Sequence, residues 1–250
     1  MKGKIGRMLS IFRKNTYLVD LLEGITDFHN HILPGIDDGA KTVEESLELI
    51  REFENIGIQD FVFTPHVMND YYPNTPSSIQ AAFDKLKSNI PESVSLNYSA
   101  EYMMDQFFME NIEKGSLLPI VKNKVLVEMS YFQPPINLNQ ILFKLQNNSF
   151  SPILAHPERY VYWHSKDLEK FKDIRSRGCS LQLNMLSLSS HYGSGIQKMG
   201  FRLIENNMID YICSDAHKFN HIEKLRTIKI SKKHHAMLNQ IIENNIQLFK

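Results

Sequence analysis

Ten histidines stand among 250 residues, and five of them finish apolar runs instead of lying in polar stretches. His29 and His31 are two apart at the end of Ile25–Phe28, so in extended chain both side chains point to one side and can clasp one ion. Asp215 and His217 repeat that spacing after the run Asp210–Ser214. One His-x-His pair in a histidine-rich chain is most simply a polar strand end. Two such pairs, on the first and last strands, are hard to dismiss as chance. Thr64-Pro65-His66 and Ala155-His156-Pro157 close two more runs, and Glu101 and Glu128 follow or finish two others. A carboxylate at the end of a buried run is costly unless it is paired or bound to a cation. Taken singly, each Glu serves equally well as a salt-bridge partner, and His156 alone is an even choice. Asp37-Asp38-Gly39 reads first as turn chemistry before a helix. His164, His191, His221, His234 and His235 carry no positional signal and read as surface residues. Tyr71, Tyr72, Tyr160 and Tyr162 read as packing or rim residues.

The elements that must position these groups are legible as alternating patterns. Apolar, β-rich runs at Ile25–Phe28, Gln59–Thr64, Val94–Ser99, Lys124–Met129, Pro152–Ala155, Ser180–Asn184 and Asp210–Ser214 predict seven strands. Between them lie amphipathic stretches. Thr42 caps the first, with Glu45 completing a capping box, Val43, Leu47, Ile50 and Phe53 on one stripe, and Gly57 as the stop. Ile79, Ala82, Phe83 and Leu86 mark a second; Leu168, Phe171 and Ile174, before Gly178, mark another. Alternating strands and helices imply a parallel sheet with crossovers, either open or closed. Because the polar candidates all fall at C-terminal strand ends, the reading is a closed α/β barrel, in which those ends share the active face.

Composition narrows the class. Lys plus Arg equals Asp plus Glu at 28 each, so the chain lacks the broad positive field of a nucleic-acid binder. Only Cys179 and Cys213 occur, both in apolar runs; the absence of a disulfide framework fits a cytoplasmic protein. No linker interrupts residues 24–250, which read as one domain after an extension at 1–23. In that extension Ile5, Met8, Leu9 and Phe12 share a helical face amid Lys2, Lys4, Arg7, Arg13 and Lys14. Residues 2–14 would then lie on an anionic membrane surface, or pack their stripe on the domain.

The string Asp27-Phe28-His29-Asn30-His31, followed by Leu33-Pro34-Gly35-Ile36-Asp37-Asp38-Gly39-Ala40, resembles the PHP (polymerase and histidinol phosphatase) superfamily. Within it the chain is similar to the bacterial capsule and exopolysaccharide protein-tyrosine phosphatases. Thr64-Pro65-His66, Ala100-Glu101, Val127-Glu128, Ala155-His156-Pro157-Glu158-Arg159-Tyr160 and Ser214-Asp215-Ala216-His217 follow in the family's order. The resemblance implies a distorted seven-stranded (β/α) barrel and a site for three divalent ions. One ion would be held by His29, His31, Glu101 and Asp215. A second would take Glu128 and His156, with Glu101 bridging, and a third Asp38, His66 and His217. It favours Mn²⁺, while mixed carboxylate and imidazole ligands also suit Fe or Zn²⁺. Arg159 would clamp the phosphoryl group, and the substrate would be a phosphotyrosine protein, a membrane-anchored bacterial tyrosine kinase. Two departures stand out: Val67-Met68 where members often carry a basic residue or His, and Lys218-Phe219-Asn220-His221 where they often carry Arg.

Other readings differ in chemistry. A histidinol-phosphate or other small-molecule phosphatase would share the ions and differ in the rim, and a non-catalytic metal-binding protein would share only the ligands. A thiol-based phosphatase is excluded on the sequence, since it needs Arg six residues after Cys, and Met185 and Phe219 stand there.

Overall fold

Runs of four or five apolar residues between turn signals are too short for helices, and in the computed structural model they form strands. Residues 16–90 and 94–250 are described. The strands are β1 (Thr16–Tyr17), β2 (Thr26–Asp27), β3 (Asp60–Phe63), β4 (His66–Val67), β5 (Ser95–Tyr98), β6 (Glu101–Met103), β7 (Lys124–Glu128), β8 (Ser151–Ala155), β9 (Ser180–Asn184), β10 (Tyr211–Cys213) and β11 (Lys229–Ile230). Six of them form a parallel sheet in the order β10-β9-β8-β7-β6-β4, and β2-β3-β5 form a second parallel sheet. β1 pairs antiparallel with β11, and Leu18 and Leu22 just after β1 are fully buried. The basic stripe expected at residues 2–14 lies outside the described residues.

Two expected strands are each followed by a second, unexpected one. Gln59–Thr64 ends as a strand at Phe63, and a further strand starts at His66; Val94–Ser99 ends at Tyr98, and another starts at Glu101. Pro65 has no N–H to continue a ladder, so the chain steps there from one sheet to the other. Backbone bonds carry the pairing across the step, Ser99 N to Phe63 O at 2.8 Å and Glu101 N to Pro65 O at 3.0 Å. Strands as short as β1, β4 and β11 bury too few residues to print a pattern.

Helices cover the sheets: α1 (Val43–Glu54), α2 (Pro76–Lys87), α3 (Phe108–Glu113), α4 (Leu138–Asn147), α5 (Glu169–Ser176), α6 (Ser194–Glu205), α7 (Phe219–Thr227) and α8 (Lys232–Leu248). α1 buries Ser46, Leu49, Ile50 and Phe53, and its Thr42 Oγ1 accepts from Glu45 N at 3.3 Å. The capping box is incomplete there, because the Glu45 carboxylate accepts from Lys41 N instead. Among the described residues no helix is long and apolar enough to cross a membrane.

The chain just past β2 meets the chain just past β10 at a seam. Asn30 and Ala216 form a parallel bridge, with Asp215 N donating to His29 O at 2.7 Å and His31 N to Ala216 O at 2.9 Å. Below it the buried Asp27 carboxylate accepts from Ser214 N at 2.9 Å and Ser214 Oγ at 2.6 Å. Burial lifts the Asp27 pKa to about 6, and the two Ser214 bonds oppose that rise.

Gly39 folds the next loop back onto this seam. A Cβ there would come within 2.6 Å of His31 Cβ and 2.7 Å of its carbonyl carbon, both held by the bridge. Gly39→Ala is therefore expected to lower stability by about 1–3 kcal/mol, as overpacking does. Thermal denaturation checks it, and a wild-type Tm would mean the loop yields freely.

Candidate metal centre and its surroundings

All nine candidate side chains converge. Asn30 donates from Nδ2 to Asp27 O and Val62 O, which fixes the strand end with His29 and His31 turned to the opposite side. His156 and Asp215 sit just past β8 and β10 at φ 34° and 51°, the left-handed region that costs a non-glycine residue of order 1 kcal/mol or more. That turn aims both side chains at the centre. Glu101 is the hub: Oε1 lies 3.2 Å from His29 Nε2 and 3.1 Å from His156 Nε2, and Oε2 lies 3.4 Å from His31 Nε2 and 3.1 Å from His66 Nδ1. Asp215 Oδ1 is 3.3 Å from His29 Nε2 and 3.2 Å from His31 Nε2. Glu128 Oε1 is 2.9 Å from His66 Nδ1, and Asp38 Oδ1 faces His66 Nε2 at 3.6 Å and His217 Nε2 at 3.5 Å.

Of these contacts His156 Nε2 to Glu101 Oε1 is a hydrogen bond, and most of the others are not. His29 Nε2, His31 Nε2, His66 Nδ1, Glu101 Oε2 and Glu128 Oε1 are buried and make no hydrogen bond of acceptable geometry. The opposite ring nitrogens explain why. His29 Nδ1 lies 2.7 Å from Gln182 Oε1, His31 Nδ1 2.8 Å from Asp37 Oδ2, and His217 Nδ1 2.9 Å from Asp215 O. Each partner is an acceptor; the Gln182 amide is oriented by Nε2 donating to Leu183 O at 2.7 Å. Nδ1 must then carry the proton, which leaves the three Nε2 lone pairs facing carboxylate lone pairs. Such an arrangement is repulsive unless cations lie between, and outer partners that fix imidazole orientation are how metal-ligating histidines are held.

The electrostatics agree. Burial opposes charge on His31 and His66, yet Asp37, Glu101 and Asp215 around the first and Glu128 and Glu101 around the second lift both pKa values well above the ordinary range. Burial likewise opposes ionisation of Glu101 and Asp215, and the surrounding imidazoles overcome it, holding both carboxyls well below theirs. Protons thus stand where a divalent cation could, and a cation would displace them. Four overlapping groups could each hold an ion: His31, Asp38, His66 and His217; His29, His31 and Asp215; His29, Glu101 and His156; His66, Glu101 and Glu128. Compared with the implied ligand sets, His31 joins the Asp38 group and His66 also reaches Glu128.

The cluster opens into a cavity of about 1150 Å³. Arg159 lines it, its guanidinium between the rings of Tyr131 and Tyr192, 4.5 and 4.2 Å from their centroids, with one nitrogen 3.1 Å from Asp215 Oδ2. Glu158 turns inward instead of pairing with Arg159, accepts from Asn184 N at 3.1 Å, and burial raises its pKa to about 7. Asn184 Nδ2 donates to Asp215 Oδ2 at 2.7 Å and to Tyr192 Oη at 3.1 Å. His191 and His221, expected on the surface, line the cavity together with Lys218, and His221 is buried. His164 is half-buried, with Nε2 2.8 Å from Glu158 O. Asp37, Gln182, Asn184, Tyr131 and Tyr192 were not anticipated. Gln182 and Asn184 alone left a trace, as polar residues inside an apolar strand.

A family model described as capsular polysaccharide synthesis, CpsB/CapC, matches residues 25–248. The chain belongs to the CpsB/CapC family. Among its relatives, the tyrosine-protein phosphatase YwqE of Bacillus subtilis (strain 168) is 30% identical over 199 residues, 76% of this chain and 76% of its own. The tyrosine-protein phosphatase CpsB of Streptococcus pneumoniae is 23% identical over 203 residues, 78% of this chain and 83% of its own. A solved structure from work on these two proteins, described as unique metal-dependent tyrosine phosphatases, superposes with a TM-score of 0.75 at 26% identity, covering 90% of this chain and 94% of the other. A histidinol phosphate phosphatase from Lactococcus lactis, at TM-score 0.51 and 13% identity over 82% of this chain and 92% of its own, shares the fold alone.

In this member of the CpsB/CapC family, Gln182→Leu would free the His29 ring to turn without filling the centre. We expect Mn²⁺ affinity to fall about 10- to 100-fold, read by metal titration at constant pH; unchanged affinity would show that Gln182 does not orient the ring.

Proposed function

We propose that this chain hydrolyses phosphotyrosine in protein substrates at a cluster of divalent cations held by His29, His31, Asp38, His66, Glu101, Glu128, His156, Asp215 and His217. The observation that carries it is the set of Nδ1 donors, which leaves the Nε2 lone pairs of His29 and His31 facing the buried Glu101 and Asp215 and that of His217 facing Asp38. Family membership and the named relatives support the reaction class. We read the two sheets, joined at the Asn30–Ala216 seam and at the steps through Pro65 and Ala100, as a distorted seven-stranded barrel, and residues 24–250 as its single domain. Three ions fit the overlapping groups, with Mn²⁺ favoured over Fe or Zn²⁺. The substrate we favour is a membrane-anchored bacterial tyrosine kinase, met in the cytoplasm, with residues 2–14 as a contact to the membrane surface.

Divalent cations held there supply charge neutralisation to the phosphoryl oxygens and acidify water. The chain's own residues do the rest. Arg159 offers a planar fork to non-bridging oxygens, and the Tyr131 and Tyr192 rings hold that fork flat against the cavity wall. Gln182 and Asp37 keep His29 and His31 turned inward. No thiol takes part: Cys179 and Cys213 are buried, and burial pushes the first to about 12 and the second well above its ordinary range.

Three outcomes test this. Chelation is expected to abolish hydrolysis of phosphotyrosine peptides and Mn²⁺ to restore it, whereas iodoacetamide at pH 8 leaves the folded enzyme active, because thiols with raised pKa hold their protons. Activity that survives chelation and dies on alkylation would overturn the reading. Arg159→Ala should lower kcat/KM about 100-fold with metal content unchanged, and Arg159→Lys should recover only part, since an ammonium lacks the fork. A kcat/KM higher for histidinol phosphate than for phosphotyrosine peptides would move the enzyme to small-molecule substrates.

A further inference from the structure

The loop that joins β7 to α4 has two characters. Its first residues are fastened to the site: Ser130 O accepts from Tyr162 Oη at 2.8 Å, and Tyr131 lies over Arg159 with its hydroxyl 3.4 Å from His156 Nε2. Its next residues reach out from that anchor. Phe132 is 93% exposed and Ile136 fully exposed, and Pro134 and Pro135 between them restrict the backbone. Large apolar side chains standing free on a stiffened segment mark a contact surface more often than a solvated one. The same cavity that holds His66, Glu128 and Arg159 is lined by Phe132, Ile136 and, elsewhere on its wall, Met68, Met103 and the exposed Tyr71. Methionines adapt to partners of varied shape.

We infer that the Phe132–Ile136 lip binds apolar residues flanking the phosphotyrosine of a protein substrate, and so selects tyrosines set in apolar sequence. The inference rests on the phosphotyrosine reading above. Continuity decides the occupant. The lip and the catalytic groups border one cavity, so a second copy of the chain or a bilayer seated on the lip would also cover the mouth through which substrate enters. A substrate segment meets both at once. Restricting the loop in advance lowers the ordering cost of that contact.

The experiment compares kcat/KM, in the Mn²⁺-loaded chain, for two phosphotyrosine peptides of equal length, one flanked by Leu and Ile and one by Ser and Gly. We expect about a tenfold preference for the apolar peptide, lost in Phe132→Ser/Ile136→Ser and kept in Phe132→Leu. Both positions are exposed, and an unaltered Tm confirms that the variants fold. Hydrolysis of both peptides without preference, or a preference that survives the double serine variant, overturns the inference alone. Failure to hydrolyse any phosphotyrosine peptide overturns the function beneath it. A dimer in sedimentation, or flotation with phosphatidylglycerol vesicles, that the double variant abolishes while the peptide preference stays intact, also overturns it by assigning the lip to another surface.

Discussion

Glu101 sits at 0% exposure with ring nitrogens of four histidines 3.1 to 3.4 Å from its two oxygens. A buried carboxylate needs compensation; His156 Nε2 bonds Oε1 at 3.1 Å, while the Nε2 lone pairs of His29 and His31 are turned toward the carboxylate and add repulsion. Positive charge between them, as protons or as metal, is what makes the arrangement tenable. The rest of the architecture serves that constraint. The Asp27–Ser214 bracket and the Asn30–Ala216 bridge tie the end of β2 to the end of β10 so that His29, His31 and Asp215 cannot relax apart. The strained turns at His156 and Asp215 spend local backbone energy to the same end.

Much of this was legible in the sequence because it rests on local signals. Apolar runs gave the strands β2, β3, β5 and β7 to β10 their approximate positions, and every candidate ligand except Asp38, which lies in a turn, fell at or just past the end of a run. The further strands β4 and β6 just past two of these runs were not legible, since hydrophobic pattern does not reveal which of two sheets a residue joins; only the missing N–H of Pro65 hinted at the step. The residues around the ligands were also largely invisible. Asp37 reads as turn chemistry, and it does accept from Gly39 N at 2.9 Å as a turn aspartate should. That it also holds the His31 ring depends on a fold that sequence spacing does not specify. Gln182 lies 153 positions from the ring it orients.

Arg159 illustrates how position changes the meaning of a charge. A surface guanidinium beside Glu158 would form a weak ion pair. Instead Glu158 points into the core toward the Asn184 backbone, and Arg159 is left to the cavity, flanked by two aromatic faces and one oxygen of Asp215. Burial opposes the guanidinium charge, and the surrounding acid and phenols outweigh it, so the group stays ionised throughout the working range. The tyrosines, in different parts of the chain, together fix its plane.

Several side chains belong to more than one ion-holding group: His31 and His29 to two each, His66 to two, and Glu101 to two. Shared ligands mean that loading is not a set of independent equilibria. A cation held by His29, His31 and Asp215 would alter the charge seen by the next, and Asp37, which accepts from the His66 backbone N as well as facing His31 Nδ1, ties the His31 ring to the His66 main chain. Each cation bound would therefore change the affinity of the groups that share its ligands, so that occupancy follows cation supply as one coupled equilibrium and not as a sum of separate ones.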